Sequence, residues 1–362
     1  MIAYGNPFIP VEWLAAHGVQ PHWLRLPDRS LSRQTGSDQD QQHHFRALNS
    51  LMHGRRGVCP LAGAVADAVS AGIAASAVVL TTACDQMRHA ASLLEHQHGV
   101  PVFVMNVPST WRTESSRALY LAELQRLGGF LVDRGGARPS TAELVEVMLR
   151  FDRARALLRR MRHRLPSREF AGALLAVRED ASRLGPWDPY GGDREDHRLG
   201  REAAFDQECS PESTPYVPLA LVGGPMRESD YGLFDWVQQA GGQIVLDATE
   251  WGERTLPRAF EIERAHRDPL TEVADAYFGS IPDVFRRPND ALYGYLGREL
   301  AARQARGLIV RRYLWCDLWH AEVAVLKAWS PVPVLDLDAA DSESSSEGRT
   351  RGRVEAFLEM LI

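Results

Sequence analysis

Residues 77–85 read Ala77-Val78-Val79-Leu80-Thr81-Thr82-Ala83-Cys84-Asp85, an apolar and β-branched run that ends close to a cysteine. Such a run predicts a strand over 77–81 that is covered on both faces, as the strands of parallel sheets are. Helical patterns stand on either side of it, over 61–71 before it and up to Leu94 after it. Because ligands bind outside the carboxyl ends of such strands, Cys84 lies where a functional side chain is expected.

The same alternation of strands and helices continues along the chain, which predicts an α/β fold with parallel sheets. Further strands are predicted at 100–108, 216–222, 243–247, 307–310 and 332–337. Helices are predicted at 11–17, 115–127, 141–163, 230–239, 271–277, 289–306 and 351–361.

The long helix over 141–163 has Ser140 or Thr141 as its expected N-cap and Glu143 in its first turn. The stretch 185–215 is charged, contains Gly and Pro, and has no sustained apolar period, so we interpret it as an irregular insertion. We therefore predict an N-terminal α/β domain over 1–140, a helical linker with a polar insertion over 141–215, and a C-terminal α/β domain over 216–362.

The composition narrows the classes of function. A formal charge of -6 over 362 residues, with basic residues scattered among acidic ones, provides no broad basic surface, so nucleic acid is not an expected partner. Four cysteines in a chain of this length argue against a disulfide scaffold, and the first residues lack a signal-peptide pattern, so we predict a cytoplasmic protein. The apolar stretch 71–80 is too short to span a bilayer, and no membrane association is predicted.

Three cysteines, Cys59, Cys84 and Cys316, each follow an expected strand, and two of them precede an aspartate. Three thiolates can hold an iron–sulfur cluster and leave one iron without a protein ligand. Buried cysteines that serve only as small apolar side chains are the simpler alternative. A zinc site of three cysteines and a histidine, His89, His96 or His320, is another. Cys209, in the polar insertion, is expected to be a surface thiol.

Ordered motifs around these cysteines resemble a known family. They are the segment 9–21 with its Pro10-Val11-Glu12, Thr81-Thr82-Ala83-Cys84-Asp85, the glycine-proline turn of 220–225, the strand of 241–247, Trp315-Cys316-Asp317, the strand of 331–335 and the C-terminal helix of 353–359. Together they resemble the 2-hydroxyacyl-CoA dehydratase family, which also contains the cluster-bearing subunits of ATP-dependent benzoyl-CoA reductases. The sequence departs from that family in Phe151-Asp152-Arg153-Ala154-Arg155, where the family generally shows an asparagine before its arginine, and at Gly352, where threonine is usual.

The resemblance implies two Rossmann-like (flavodoxin-like) parallel-sheet domains with a helical linker and a [4Fe-4S] cluster between the domains, bound by Cys59, Cys84 and Cys316. It implies one-electron reduction of an acyl-CoA thioester, for 2-hydroxyacyl-CoA dehydration or for aromatic-ring reduction. The implied partners are an acyl-CoA substrate, a paralogous cluster-bearing subunit, and an ATP-dependent activator that donates the electron. Glu12 matches an acidic position of the family and is our candidate for the base or substrate-positioning residue.

Alternatives remain open at this point. Glu12 could merely complement a helix dipole. The chain could be a non-catalytic electron-relay or structural subunit, or form a homodimeric double-cubane-type reductase of small molecules. Asp85 and Asp317 are expected to be helix N-caps, or to donate hydrogen bonds from their backbone N–H groups to sulfur atoms of the cluster. Trp315 and Trp319 are expected either to shield the cluster from water or to pack in the core.

Overall fold

The computed structural model describes residues 1–24, 59, 62, 65, 75–162, 164–184, 216–226, 228–339 and 344–362. Within these ranges the strands form two four-stranded sheets, and all pairings inside both sheets are parallel. Helices surround each sheet. The predicted α/β class with two parallel sheets is therefore confirmed.

The first sheet lies in the N-terminal half and has the strand order β2-β1-β3-β4. Its strands are β1 (Ile2–Tyr4), β2 (Pro21–Trp23), β3 (Ala77–Thr81) and β4 (Val102–Met105). The helices of this half are α1 (Val11–Ala16), α2 (Asp85–His98), α3 (Glu114–Asp133), α4 (Thr141–Met161) and α5 (Ser167–Glu179).

The second sheet has the corresponding order β6-β5-β7-β8. Its strands are β5 (Val217–Gly223), β6 (Gly242–Thr249), β7 (Gly307–Tyr313) and β8 (Val334–Ala339). The helices described here are α6 (Gly232–Gln239), α7 (Ile262–Arg267), α8 (Pro269–Tyr277), α9 (Asp290–Ala302), α10 (Asp317–Trp329) and α11 (Ser344–Leu361). In both sheets the first strand of the half pairs with the second and third, which is the order of flavodoxin-like sheets.

Most predicted elements are confirmed to within a few residues, and β3 coincides with its prediction. The N-terminus of α4 forms the expected capping box, in which Ser140 accepts from the Glu143 N–H and the Glu143 carboxylate accepts from Ser140. The sequence reasoning missed β1 and β2, because strands of three residues are too short to show an alternating pattern. The helix predicted over 61–71, apart from Ala62 and Val65, and the insertion over 185–215 with Cys209 lie outside the described residues.

The core of the first half takes in residues from the second. Trp251, Phe260, Tyr277, Phe278 and Phe285 belong to the same apolar cluster as β1, β3 and α3. The chain therefore crosses to the first sheet after β6 and returns before β7. None of the described helices is both long enough and apolar enough to cross a membrane.

Candidate functional site

Two of the predicted site cysteines lie just beyond the carboxyl end of a strand in different sheets. Cys84 follows β3 and is the N-cap residue of α2, and Cys316 follows β7 and is the N-cap residue of α10. The prediction that Asp85 and Asp317 are N-caps is wrong, because each is the first residue of its helix and is exposed. The cysteine itself occupies the cap position, because three residues separate each strand from its helix and the cysteine is the last of them.

The structure places the three predicted site cysteines, Cys59, Cys84 and Cys316, close enough that charge on one thiol shifts the pKa of another. Burial is the largest cause that raises the pKa of the Cys84 thiol to about 11 and that of Cys316 to about 12, and the nearby Cys59 contributes to both shifts. Cys59 is itself buried, and its backbone N–H donates to the side-chain oxygen of Gln86 in α2, at 3.3 Å. The structure thus brings together three thiols that are far apart in the sequence, and none of them forms a disulfide.

Two features of the site partly offset the cost of negative charge on these buried thiols. Cys84 and Cys316 each stand at the N-terminus of a helix of more than three turns, where the macrodipole stabilises anions. The N–H groups of Gln86 and Met87 partly offset the raised pKa of Cys84, and that of Trp319 does so at Cys316, although no capping hydrogen bond forms. Thiolates bound to iron would be stabilised in the same way.

The chemistry of the donor set can be compared with that of an iron–sulfur cluster, whose protein ligands are thiolates. Among the described residues, no three His, Cys, Asp or Glu side chains are close enough together to hold one ion. His89, His96 and His320, the candidate zinc ligands, are exposed. In a four-iron cluster each thiolate binds a different iron, so the thiols need not meet at one point. The donor set of three converging thiols, half-buried or buried, therefore fits a [4Fe-4S] cluster.

Glu250 is a residue of this site that the sequence reasoning missed. It follows β6 directly, is half-buried, and its charge raises the pKa of both Cys84 and Cys316. Burial, followed by the charge of Asp283, raises the pKa of Glu250 itself to about 8. The available signal was its place after a predicted strand, the same location that marked Cys84.

Glu12, the predicted base or positioning residue, is fully buried in α1. Its carboxylate accepts from Arg155 in α4 at 2.5 Å and from the Tyr277 hydroxyl in α8 at 2.6 Å. Asp152 also accepts from Arg155, at 2.9 Å. A cavity in this region is lined by Arg155 and Tyr277, together with Arg178 and Trp23. The role of Glu12 stays a prediction, and its contacts are those of a residue that orients Arg155 and Tyr277.

The chain was also compared with known proteins. The family model described as 2-hydroxyglutaryl-CoA dehydratase, D-component, matches residues 7–361. The chain belongs to this family. No curated protein matches it. The match includes all three thiols and every strand of the two sheets except β1, so the resemblance inferred from motifs is confirmed.

Two departures from the family pattern can now be located. Phe151 is buried in α4, one turn before Arg155, and belongs to the core of the first half. Gly352 lies in α11, where an added Cβ would meet nothing within 4 Å. Its neighbour Arg353 donates to the Asp336 carbonyl of β8 at 2.7 Å. Neither departure touches the cysteines.

The glycine-proline turn after β5 has a packing explanation in this family member. A Cβ on Gly223 would lie 1.9 Å from the carbonyl oxygen of Arg311 in the neighbouring β7. Only glycine allows this approach between the two strands.

The two tryptophans near Cys316 differ in their surroundings. Trp319 is 2% exposed and packs in the core of the second half, which confirms the expectation of core packing for this residue. Trp315 is 42% exposed and its neighbour Leu314 is 49% exposed. Core packing is therefore wrong for Trp315, because it stands in the turn between β7 and α10 rather than on a helix face.

Proposed function

We propose that this chain is the cluster-bearing subunit of a 2-hydroxyacyl-CoA dehydratase, with Cys59, Cys84 and Cys316 as the thiolate ligands of one [4Fe-4S] cluster. The observation that carries the proposal is the proximity of these three thiols, two of which, Cys84 and Cys316, follow strands of different sheets. Membership of the 2-hydroxyglutaryl-CoA dehydratase D-component family supports dehydration rather than aromatic-ring reduction.

The overall reaction removes the 2-hydroxyl group and a proton from the acyl chain as water. When bound, a cluster with one iron free of cysteine supplies an electron and a Lewis-acidic iron for an oxygen atom of the thioester. The protein contributes the surroundings. Trp319 and the buried Cys59 limit access of water, and the helix N-termini at Cys84 and Cys316 stabilise negative charge. Glu12 enters the proposal as a positioning residue that fixes Arg155 and Tyr277 beside the cavity.

A partner subunit and an ATP-dependent electron donor form part of the same proposal. The family description names one component of an enzyme, which supports the existence of another. Leu314 and Trp315 add a structural reason, because they expose apolar surface next to Cys316. A partner that covered this surface would also shield the site from water.

The proposal is tested by anaerobic purification of the wild-type chain and of Cys84→Ala, Cys316→Ala and Cys209→Ala, with analysis of iron, zinc and acid-labile sulfide. We expect about four irons and four sulfides per wild-type chain. Removal of a ligand thiol should lower both contents to a small fraction, whereas Cys209→Ala should keep them. Zinc without sulfide, or an unchanged cluster in Cys84→Ala, would overturn the ligand assignment.

The activity itself needs a second measurement. The wild-type chain, its partner subunit and a reducing activator with ATP are supplied with a 2-hydroxyacyl-CoA, and formation of the 2-enoyl-CoA is followed. We expect turnover that is lost in Cys84→Ala and kept in Cys209→Ala. A cluster-bearing wild-type chain that gives no product in the complete mixture would support the electron-relay alternative.

A further inference from the structure

Glu250 forms hydrogen bonds with residues at strand ends of both sheets. Its backbone N–H donates to the Gly223 carbonyl at the end of β5, at 3.0 Å. Its side-chain Oε1 lies 3.5 Å from the Nδ2 of Asn6, which follows β1 of the other sheet. Glu250 is therefore fixed where the carboxyl ends of the two sheets face each other.

The carboxylate of Glu250 forms no ion pair with any of the described residues. Two nearby arginines lower its pKa, but each is engaged elsewhere: Arg254 pairs with Asp283 at 2.7 Å, and Arg178 donates to the Thr255 hydroxyl at 2.5 Å. Burial and Asp283 outweigh both arginines, so the pKa is raised. A half-buried carboxyl group that lacks a paired cation is costly in its charged form and binds a proton instead, and a metal ion can take the place of that proton.

Other carboxylates near the thiols are less suited to bind a metal there. Asp85 is adjacent to Cys84, but its side chain is 94% exposed and lies 3.6 Å from Arg88. Asp283 is held by Arg254 and by the N–H of Phe285. Glu250 alone among these three combines partial burial, a carboxylate without an ion pair, and a position between the ends of β5 and β1, whose neighbours β7 and β3 lead to Cys316 and Cys84.

We propose that Glu250 is the fourth protein ligand of the cluster, binding through a carboxylate oxygen the iron that has no cysteine until substrate takes its place. The inference rests on the proposed function, because it requires the cluster. Carboxylate oxygen binds iron less tightly than thiolate does, so it can stabilise the resting site and still exchange for a substrate oxygen. The exchange changes ligands only, with no transfer of electrons.

The test compares wild type, Glu250→Gln, Glu250→Cys and the control Asp85→Asn, which removes an exposed carboxylate beside Cys84. Each is purified anaerobically and treated with limiting ferricyanide. Oxidation of the cluster by one electron with release of one ferrous ion yields a [3Fe-4S] cluster, which is detected by EPR. We expect Glu250→Gln to lose one of its four irons at an oxidant dose that leaves wild type and Asp85→Asn intact. Glu250→Cys, with four thiolates, should resist loss at least as well as wild type.

Mössbauer spectra of the unoxidised proteins give a second readout. In wild type we expect one iron to differ from the other three, to shift in Glu250→Gln, and to become equivalent to them in Glu250→Cys. Equal iron loss and equal spectra in wild type, Glu250→Gln and Asp85→Asn would overturn the inference but leave the cluster proposal intact. A wild-type chain without iron and sulfide would instead overturn the proposed function, and the inference with it.

Discussion

Glu12 and Arg155 form an ion pair in which the two side chains are 0% and 3% exposed. Removal of one partner leaves a buried charge without its counter-ion, which typically costs about 3–5 kcal/mol. Asp152 remains beside Arg155 and moderates the loss, so for Glu12→Gln we expect a decrease in the free energy of unfolding near the lower end of that range. Urea denaturation of the metal-free protein measures it.

Glu146→Gln provides the matched control for that change, because Glu146 is an exposed residue of α4. We expect it to alter stability by less than about 0.5 kcal/mol. If Glu12→Gln were as stable as this control but had lost turnover, the base interpretation of Glu12 would replace the positioning one. If Glu12 positions the cavity residues, the variant should lose substrate affinity as well as stability.

The lowered pKa of the buried His17 should make the stability of the protein depend on pH. His17 is 1% exposed at the end of α1, it packs against Trp13 with ring centroids 4.4 Å apart, and burial lowers its pKa, with a further decrease from Arg138. The unfolded chain then takes up a proton near pH 6.5 while the folded protein does not. The free energy of unfolding should therefore decrease as pH falls below about 6.5.

Urea denaturation between pH 5 and pH 8 checks this expectation, and the range spans the histidine's usual pKa of about 6.5. His17→Gln should show a flatter profile in the acidic part of that range. A wild-type profile as flat as that of the variant would contradict the lowered pKa.

Two adjacent glycines of α3 test the packing between helices. A Cβ on Gly128 would lie 2.9 Å from Trp13 Cζ2 and 3.0 Å from His17 Nε2, whereas at Gly129 nothing lies within 4 Å. Because α1 and α3 approach at Gly128, we expect Gly128→Ala to destabilise the protein by about 1–3 kcal/mol. Gly129→Ala, the control, should stabilise it by about 0.5–1 kcal/mol, since alanine favours the helix.

Thermal or urea unfolding of the two variants decides between packing and helix propensity. Equal stabilisation by both substitutions would show that α1 does not lie against α3 at this point. A destabilised Gly129→Ala would contradict the open space found beside that residue.

The two halves of the molecule share contacts that tie their stabilities together. Phe285 packs edge-on against Phe8 with ring centroids 5.2 Å apart, Phe278 stacks on Tyr120 at 4.8 Å, and Arg117 pairs with Asp275 at 2.5 Å. Each pair joins the segment between β6 and β7 to a residue of the N-terminal half. We therefore expect one unfolding transition for the whole chain.

Urea unfolding followed by tryptophan fluorescence and by far-UV circular dichroism should give coincident curves. The fragment 216–362, expressed alone, should lack the cooperative transition of the full chain, because its residues 251–285 lose the apolar partners supplied by the first half. Two separated transitions in the full chain, or a cooperatively folded fragment, would contradict the shared core.

The amino-acid sequence by itself determined the class of fold, the position of β3, and the place of Cys84 and Cys316 at strand ends. These features depend on near neighbours along the chain, since apolar runs, caps and turns are set within a few residues. The family resemblance already implied that Cys59 joins the other two thiols, whereas the tertiary structure alone decided that Glu250 stands beside them and that Glu12 is paired with Arg155. Those arrangements arise because packing of the two sheets brings distant segments together, and no local pattern records which side chains then meet.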